Sequence, residues 1–240
     1  MKKIFSPVLL FLVAATISFA QEFQDVTTPK FRLAVTYGIS VMNPEAFNKH
    51  IAISNEAFGT TESSVKSMPE LGATLSFRPA DDNKVVVLRG GYVWTEKKFP
   101  FSIKETDTSS ISTKTTTGNI TETYSAYPLS IGVGLATEKN EAQLHVEFIY
   151  ALGYVSEEGS FTTSNGQKTS YKRSYFSPAY GFRIAGSIFA RLTSNMALNL
   201  EVAYRGLTFD QYENESTAQS SPIEFRMSGV QGAVGLAVTF

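Results

Sequence analysis

Apolar and polar residues alternate with a period of two along eight segments of this 240-residue chain. Because successive side chains of a β-strand point to opposite faces of a sheet, this period predicts strands with one apolar and one polar face. The predicted strands are 31–42, 68–78, 84–96, 121–136, 142–155, 173–191, 196–208 and 225–240. Helical periodicity is scarce, so the sequence predicts an all-β protein.

The polar face of these strands carries small residues and nearly all of the strand charges. The third strand fits least well, because Val85, Val87 and Val93 fall on its nominally polar face. In a soluble sandwich or a lipocalin the apolar face points inward, whereas in a membrane-spanning barrel it meets lipid and the polar face fills the lumen. The alternation by itself fits both arrangements.

The lengths of the connections favour the membrane-spanning barrel. Short connections alternate strictly with long ones along the chain. The short ones are 79–83, 137–141 and 192–195, and the long ones are 43–67, 97–120, 156–172 and 209–224. Bacterial outer-membrane barrels have tight turns at the periplasmic end and long loops at the outer end. The pattern therefore predicts that both mature termini lie on the periplasmic side.

The chemistry of the two faces favours the same arrangement. Gly, Ala and Ser are abundant on the polar face, which suits the narrow lumen of a closed eight-stranded barrel. Aromatic residues of the apolar face tend towards the strand ends, as in the girdles of membrane barrels. They are Tyr37, Phe77, Tyr92, Trp94, Tyr127, Tyr154, Phe176, Tyr180 and Tyr204.

Four prolines stand near the predicted starts of strands that return from long connections. They are Pro69, Pro128, Pro178 and Pro222. Proline cannot donate a hydrogen bond to a sheet ladder, so we expect these residues to mark the rim where complete pairing begins.

The amino-terminal residues predict export. Lys2 and Lys3 precede an apolar stretch, and Ser18-Phe19-Ala20 fits a small-x-small cleavage site. We therefore predict a signal peptide at 1–20 and a single barrel domain at 21–240. The chain has no cysteine and a net charge of −1, which argues against a lipoprotein, a disulfide scaffold and a nucleic-acid-binding protein.

The chain ends in "SGVQGAVGLAVTF", where the alternation continues to the last residue. The positions Val234, Leu236, Val238 and Phe240 resemble the carboxy-terminal signature of bacterial outer-membrane β-barrels. The chain as a whole resembles the small OmpA/OmpX-type barrels, in particular the outer membrane β-barrel family of Bacteroidetes-like bacteria. The resemblance implies a closed antiparallel up-and-down eight-stranded transmembrane β-barrel, and recognition of its last strand by the barrel-assembly machinery.

Seven charged or titratable residues on the polar face are expected to meet in the lumen. They are Glu70, Arg89, His145, Glu147, Arg183, Glu201 and Arg205. Buried charges must be paired, so these residues form either a plug or the lining of a narrow ion path, and the small diameter of the barrel favours the plug. No arrangement of His and Ser typical of a lipid-modifying barrel enzyme is present, and we expect no catalytic residue, metal or cofactor.

These observations predict a monomeric, non-enzymatic outer-membrane protein with a structural or surface-interaction role. The expected partners are outer-membrane lipid and lipopolysaccharide, and no nucleic acid. A small pore for ions or solutes is the main alternative, and a lipid-modifying enzyme is the third. The long loops are polar, and Ser and Thr are frequent in 105–123, which suits either a solvated surface or a contact site.

The terminal residue provides the first test. Replacing Phe240 by Asp removes one apolar contact, which costs only about 1.5–3 kcal/mol, and also removes the residue that the assembly machinery is expected to recognise. We therefore expect the outer-membrane level of the variant in cells to fall much more than its yield on refolding into detergent. A parallel fall in both quantities would mean that Phe240 contributes packing alone.

Overall fold

The computed structural model describes residues 31–42, 44–79, 83–107, 112–137, 141–209, 212–214, 220–221 and 225–240. The predicted signal peptide and Pro222 lie outside these ranges. Among the described residues there are eleven strands and one helix. The elements are β1 (Phe31–Met42), α1 (Glu45–Phe58), β2 (Ser67–Phe77), β3 (Lys84–Asp107), β4 (Ser112–Ala136), β5 (Ala142–Thr163), β6 (Lys168–Arg191), β7 (Met196–Phe209), β8 (Tyr212–Asn214), β9 (Ser220–Ser221), β10 (Phe225–Arg226) and β11 (Gly229–Thr239).

The eight long strands of the described ranges, β1–β7 and β11, close into one antiparallel ring. Each of β1–β6 pairs with the next strand in the sequence, and β7 pairs with β11. The ring closes because β11 also pairs with β1 over their full lengths, from Arg32 opposite Thr239 to Met42 opposite Gly229. The predicted closed up-and-down barrel is confirmed, and no edge is left open along its circumference.

The apolar face of the barrel points outward. Along β5, the exposed fractions of Leu144, Val146 and Phe148 are 59%, 53% and 56%. The residues between them, His145 and Glu147, are only 2% and 1% exposed. A soluble barrel has the opposite arrangement, whereas an apolar belt around a polar interior is the surface that a membrane-spanning barrel presents to lipid.

Aromatic rings mark both ends of this belt. At the long-loop end, Tyr92 lies between Trp94 and Tyr127, at ring centroid distances of 5.1 and 5.0 Å. The row continues from Tyr127 through Tyr154 to Phe176. At the short-turn end, Phe31 contacts Phe77 and stacks on Phe240. These rows stand where the aromatic girdles of membrane barrels meet the headgroups.

The four central strands are longer than the sequence predicted. The ranges 97–120 and 156–172 were expected to be long connections, but most of their residues belong to β3, β4, β5 and β6. The β2–β3 register ends at Glu70 opposite Val93, while β3 and β4 stay paired out to Asp107 opposite Ser112. The extensions therefore form a sheet that projects beyond the barrel at the long-loop end, here called the outer wall.

Prolines interrupt the pairing of these long strands on one side, while β5 stays paired with Pro128 and Pro178 on the other. Pro128 and Pro178 lie within β4 and β6 and not near the strand starts, because both strands are longer than predicted. Both prolines still lie at the rim, since the β6–β7 register ends at Gly181 and the β2–β3 register ends at Val93. The β3–β4 register omits Pro128 and passes from Leu129 to Ala126, and the β6–β7 register ends at Gly181 before Pro178. Both positions fit the missing N–H donor of proline.

The first long connection contains a helix that the sequence analysis missed. Helix α1 begins after Pro44 and ends at Phe58. Gly59 caps it in a left-handed conformation with φ of 64° and donates its N–H to the Asn55 carbonyl. Glycine is favoured in this capping geometry because it has no Cβ. No helix in the described ranges is long and apolar enough to cross a membrane.

The last strand is shorter than predicted. Residues 225–240 were expected to form one strand, but β10 pairs briefly with β7 and β11 begins only at Gly229. Phe240 follows β11 and exchanges two backbone hydrogen bonds with Phe31, at 3.0 and 3.1 Å. The end of the chain is therefore held against its first described residue.

A pair of arginine substitutions on one face of β4 tests the membrane belt. Ile131 is 55% exposed and lies between the two aromatic rows, whereas Thr117 is exposed on the outer wall. An outward arginine near the bilayer midplane costs roughly 2–4 kcal/mol, against about 0–1 kcal/mol near the interface. We expect Ile131→Arg to lower the folded fraction in liposomes strongly and Thr117→Arg to leave it nearly unchanged. Equal folded fractions for the two variants would contradict the assignment of the belt.

Candidate functional site

The lumen of the barrel is filled with side chains in three layers. The charge layer occupies the middle and consists of Glu70, Arg89, Glu147, Arg183, Glu201 and Arg205. The outer apolar layer lies towards the long-loop end and includes Val93, Tyr124, Ile149, Ala151, Leu207 and Met227. The inner apolar layer lies towards the short turns and consists of Ala34, Phe189, Ala197 and Ala237.

The charge layer is a chain of alternating signs across the lumen. Its first pair joins Arg205 to Glu70 at 2.8 Å, and Glu70 then meets Arg89 at 3.2 Å. Arg89 contacts Glu201 at 3.2 Å. The chain continues from Glu201 to Arg183 at 2.5 Å, and from Arg183 to Glu147. Because three arginines alternate with three glutamates, the layer is neutral as a whole.

Hydroxyl and amide groups complete the hydrogen bonds of these ions. Ser40 donates to Glu70 at 3.1 Å, and Thr74 accepts from Arg89 at 3.0 Å. Gln231 accepts from the Nε of Arg183 at 3.3 Å, and Ser130 bonds to Glu147. A buried ion pair is tolerated only where such additional contacts satisfy its remaining donors and acceptors.

Strand geometry explains why these residues meet. All six point inward because they occupy the inward parity of β2, β3, β5, β6 and β7. The register places Glu147 opposite Arg183, and Arg183 opposite Arg205. Two arginines are thus cross-strand neighbours, and the glutamates on either side of them offset their repulsion.

A glycine makes room for one of the guanidinium groups. A Cβ built on Gly72 would lie 2.8 Å from the Cζ of Arg89, which is closer than real side chains approach. The guanidinium of Arg89 therefore lies over the backbone of Gly72. The glycines of the polar face allow the large ions of the opposite strands to fill a narrow lumen.

His145 adjoins the charge layer without joining its hydrogen bonds. Its Nε2 lies 3.0 Å from Glu147 Oε1, but neither ring nitrogen has a hydrogen-bond partner of suitable geometry among the described residues. Among those residues, no group of three or more His, Cys, Asp or Glu side chains is placed to hold a metal ion.

The outer apolar layer corrects the expectation of a lumen that is polar throughout. The inward parity becomes apolar towards the long-loop end, where Val93, Ala151 and Leu207 are almost completely buried. Helix α1 covers this layer. Phe47 inserts between Tyr124 and Phe225 with edge-to-face contacts at 4.2 and 5.0 Å between ring centroids, and Ile51 is also fully buried.

Polar contacts fix the helix and the segment that follows it. Asn48 exchanges two hydrogen bonds with the backbone of Val65, at 2.6 and 3.0 Å. Lys97 of β3 donates to the Ser63 carbonyl at 2.6 Å. These contacts hold the returning segment against the wall of the barrel.

A further contact joins the helix to β4. His50 lies 3.2 Å from both carboxylate oxygens of Glu122. The hydrogen bond to Glu122 raises the pKa of His50 above its ordinary value, and burial opposes that rise. The hydroxyl of Tyr124 donates to the same carboxylate at 2.6 Å. A protonated His50 therefore gains a charge-assisted hydrogen bond to Glu122 of β4.

The assembly signature occupies the outer face of the closing strand. Val234 and Leu236 are 48% and 50% exposed, and Val238 and Phe240 are half-buried near the short-turn end. Val234, Leu236 and Val238 lie on β11 between β1 and β7, at the closure of the ring, and Phe240 follows directly after β11. Recognition by an assembly machinery stays a prediction.

No family model and no curated protein matches the sequence. Among solved structures, the attachment invasion locus protein Ail of Yersinia pestis is similar with a TM-score of 0.34 and 12% identity, covering 89% of this chain and 100% of that one. Neisserial surface protein A gives 0.35 and 8%, with coverage of 88% and 96%. The outer membrane protease OmpT of Escherichia coli gives 0.29 and 9%, with coverage of 91% and 99%. Likenesses at this level carry no argument about function.

Breaking one link of the charge layer tests its energetic role. Arg183→Met leaves Glu147 without its arginine, and removing one partner of a buried ion pair costs about 3–5 kcal/mol. We expect that loss in the free energy of unfolding, measured by denaturant titration of the refolded barrel. Arg173→Met on the exposed outer wall is the matched control, with an expected loss of about 0–1 kcal/mol.

The double variant Arg183→Met with Glu147→Gln removes the uncompensated charge. It should recover part of the stability lost in Arg183→Met alone. If Arg183→Met and Arg173→Met lost equally little stability, the charge layer would not be a stabilising unit.

Proposed function

We propose that this protein is a monomeric, non-catalytic barrel of the bacterial outer membrane that is closed to ions and displays the outer wall at the cell surface. Its role in this proposal is structural or surface-interacting. The mature termini lie in the periplasm, after removal of the predicted signal peptide, and the barrel-assembly machinery recognises the last strand. Outer-membrane lipid and lipopolysaccharide surround the apolar belt.

The filled lumen is the observation that carries the proposal. The five linked ion pairs of the charge layer cross the barrel, and their members are at most 6% exposed. An ion passing through would have to separate charges that compensate one another in a water-poor interior, at a cost of several kcal/mol. The outer apolar layer and α1 lie on the same path and exclude water on the long-loop side.

The outer wall supports the surface role. It continues four paired strands of the barrel, and binding residues are often presented by such projections from a scaffold. Its described faces carry paired charges, such as Lys172 with Glu158 at 2.5 Å and Lys98 with Glu96 at 3.0 Å. Exposed pairs of this kind contribute little to stability and leave charged groups available to a partner.

Planar-bilayer recording separates the proposal from the pore alternative. The refolded protein should insert without steady conductance, and insertion should be verified in the same membranes by the gel mobility of the folded barrel. A variant in which residues 45–66 are replaced by a short Gly-Ser linker removes α1 but keeps the charge layer, and we expect it to stay closed as well.

A reproducible open channel in the unmodified protein would overturn the closed lumen and favour a small transport protein. Conductance only in the variant without α1 would instead assign closure to the helix and contradict the role given to the charge layer.

A further inference from the structure

Two arginines, Arg32 and Arg191, line one cavity at the short-turn end of the lumen. Arg32 of β1 is only 6% exposed, and its Nε donates to the Thr239 hydroxyl at 3.2 Å. The Nη1 of Arg32 is buried and has no hydrogen-bond partner among the described residues. A buried guanidinium donor left unpaired is costly, so its position points to a ligand that accepts from it.

The guanidinium of Arg32 also contacts an aromatic ring. Its Cζ lies 3.8 Å from the centre of the Phe189 ring, which is a cation–π contact. Phe189 belongs to the inner apolar layer, which surrounds this end of the lumen. This contact and the hydrogen bond to Thr239 restrain the side chain before any ligand arrives, which reduces the entropy lost on binding.

Arg32 lines a small, partly open cavity whose chemistry is cationic and rich in hydroxyl and amide groups. Arg191, at the end of β6, lines the same cavity and acts on Arg32 as a repelling charge. Glu141 is the one carboxylate side chain among the described lining residues, so two positive charges face one negative charge. The β6–β7 turn adds Thr193, Ser194 and Asn195 to the wall.

The turn that completes the cavity is itself fixed. The Thr193 hydroxyl accepts hydrogen bonds from the backbone N–H of Asn195 and of Met196, at 3.3 and 3.0 Å. The Asn195 carbonyl accepts from the N–H of Thr239 at 2.8 Å. The β6–β7 turn, which follows Arg191, is thus hydrogen-bonded to the end of β11, and β11 pairs with the strand that carries Arg32.

We propose that this cavity binds a small oxyanion, which is a phosphate or carboxylate group, between Arg32 and Arg191. Guanidinium groups present parallel N–H donors that match the oxygens of such anions, and these charge-assisted bonds are stronger than neutral ones. The anion satisfies Nη1 of Arg32 and separates the two like charges. The site opens at the periplasmic end, a placement that rests on the proposed function.

Nuclear magnetic resonance of the refolded, uniformly ¹⁵N-labelled protein tests the site directly. The Nε–H resonance of Arg32 should shift saturably on titration with inorganic phosphate at constant ionic strength maintained with chloride. Arg191→Gln changes an exposed side chain and should weaken the apparent affinity for phosphate at least tenfold. Arg173→Gln on the outer wall is the matched control and should change the affinity by less than twofold.

Two further titrations distinguish the sources of the anion. Sodium acetate tests a free carboxylate, and a short-chain phosphatidylglycerol below its micellar concentration tests a lipid headgroup. Saturable binding of any of the three probes that depends on Arg191 supports the site, and the tightest probe identifies the source. Absence of a saturable shift with all three, or binding unchanged in Arg191→Gln, would overturn it. Neither result depends on conductance, so failure of this site is distinguishable from failure of the closed-lumen proposal.

Discussion

The pairing of β11 with β1 is the constraint on which the rest of the structure depends. In lipid, an unpaired backbone N–H or C=O has no water to bond, so a sheet that spans a membrane has to close. Closure of eight strands fixes a narrow lumen, and the alternation of side chains then decides which residues enter it. The ladder from Arg32 opposite Thr239 to Met42 opposite Gly229 provides this closure.

Closure of the ring buries the polar side chains that point inward from each strand. Each inward charge leaves water when the ring forms, so it needs a partner at the same level of the barrel. In the charge layer, arginines alternate with glutamates, and Glu70 and Glu201 each contact two arginines. The outer apolar layer needs no ion pairs, because Val93, Ile149 and Leu207 have apolar side chains that pack beneath α1. The two layers together fill the lumen with side chains beneath the outer wall.

The sequence predicted the ring better than it predicted how the side chains fill the lumen. Period-two alternation and the lengths of the connections were enough for the strand order, the outward apolar face and the inward position of the six ions. The partners of each ion depend on register and on reach across the lumen, as with Arg89 and Glu201, which are 112 positions apart. Such pairs are not encoded in any local pattern.

Helix α1 was missed although a local signal was present. Phe47 and Ile51 are spaced for one helical face, Phe58 ends the segment, and Gly59 follows as a cap. The sequence analysis instead treated residues 43–67 as a long loop. The sequence also indicated the outer apolar layer, because Val93 is an apolar residue on the polar face of its strand. No local signal indicated the extensions of β3–β6, since Thr-rich polar segments suit both exposed loops and strands that are solvated on both faces.

Collision rates of spin labels along β4 test the central claim most directly, which is that the apolar belt faces lipid and the outer wall faces water. The chain has no cysteine, so single-cysteine variants at Thr117, Leu129, Ile131, Val133 and Leu135 can be labelled specifically in liposomes. The label at position 131 should collide with oxygen far more often than with a water-soluble nickel complex, and this ratio should reverse at position 117. If the nickel complex reached positions 131 and 117 equally well, the apolar face would lie in water and the account would be wrong.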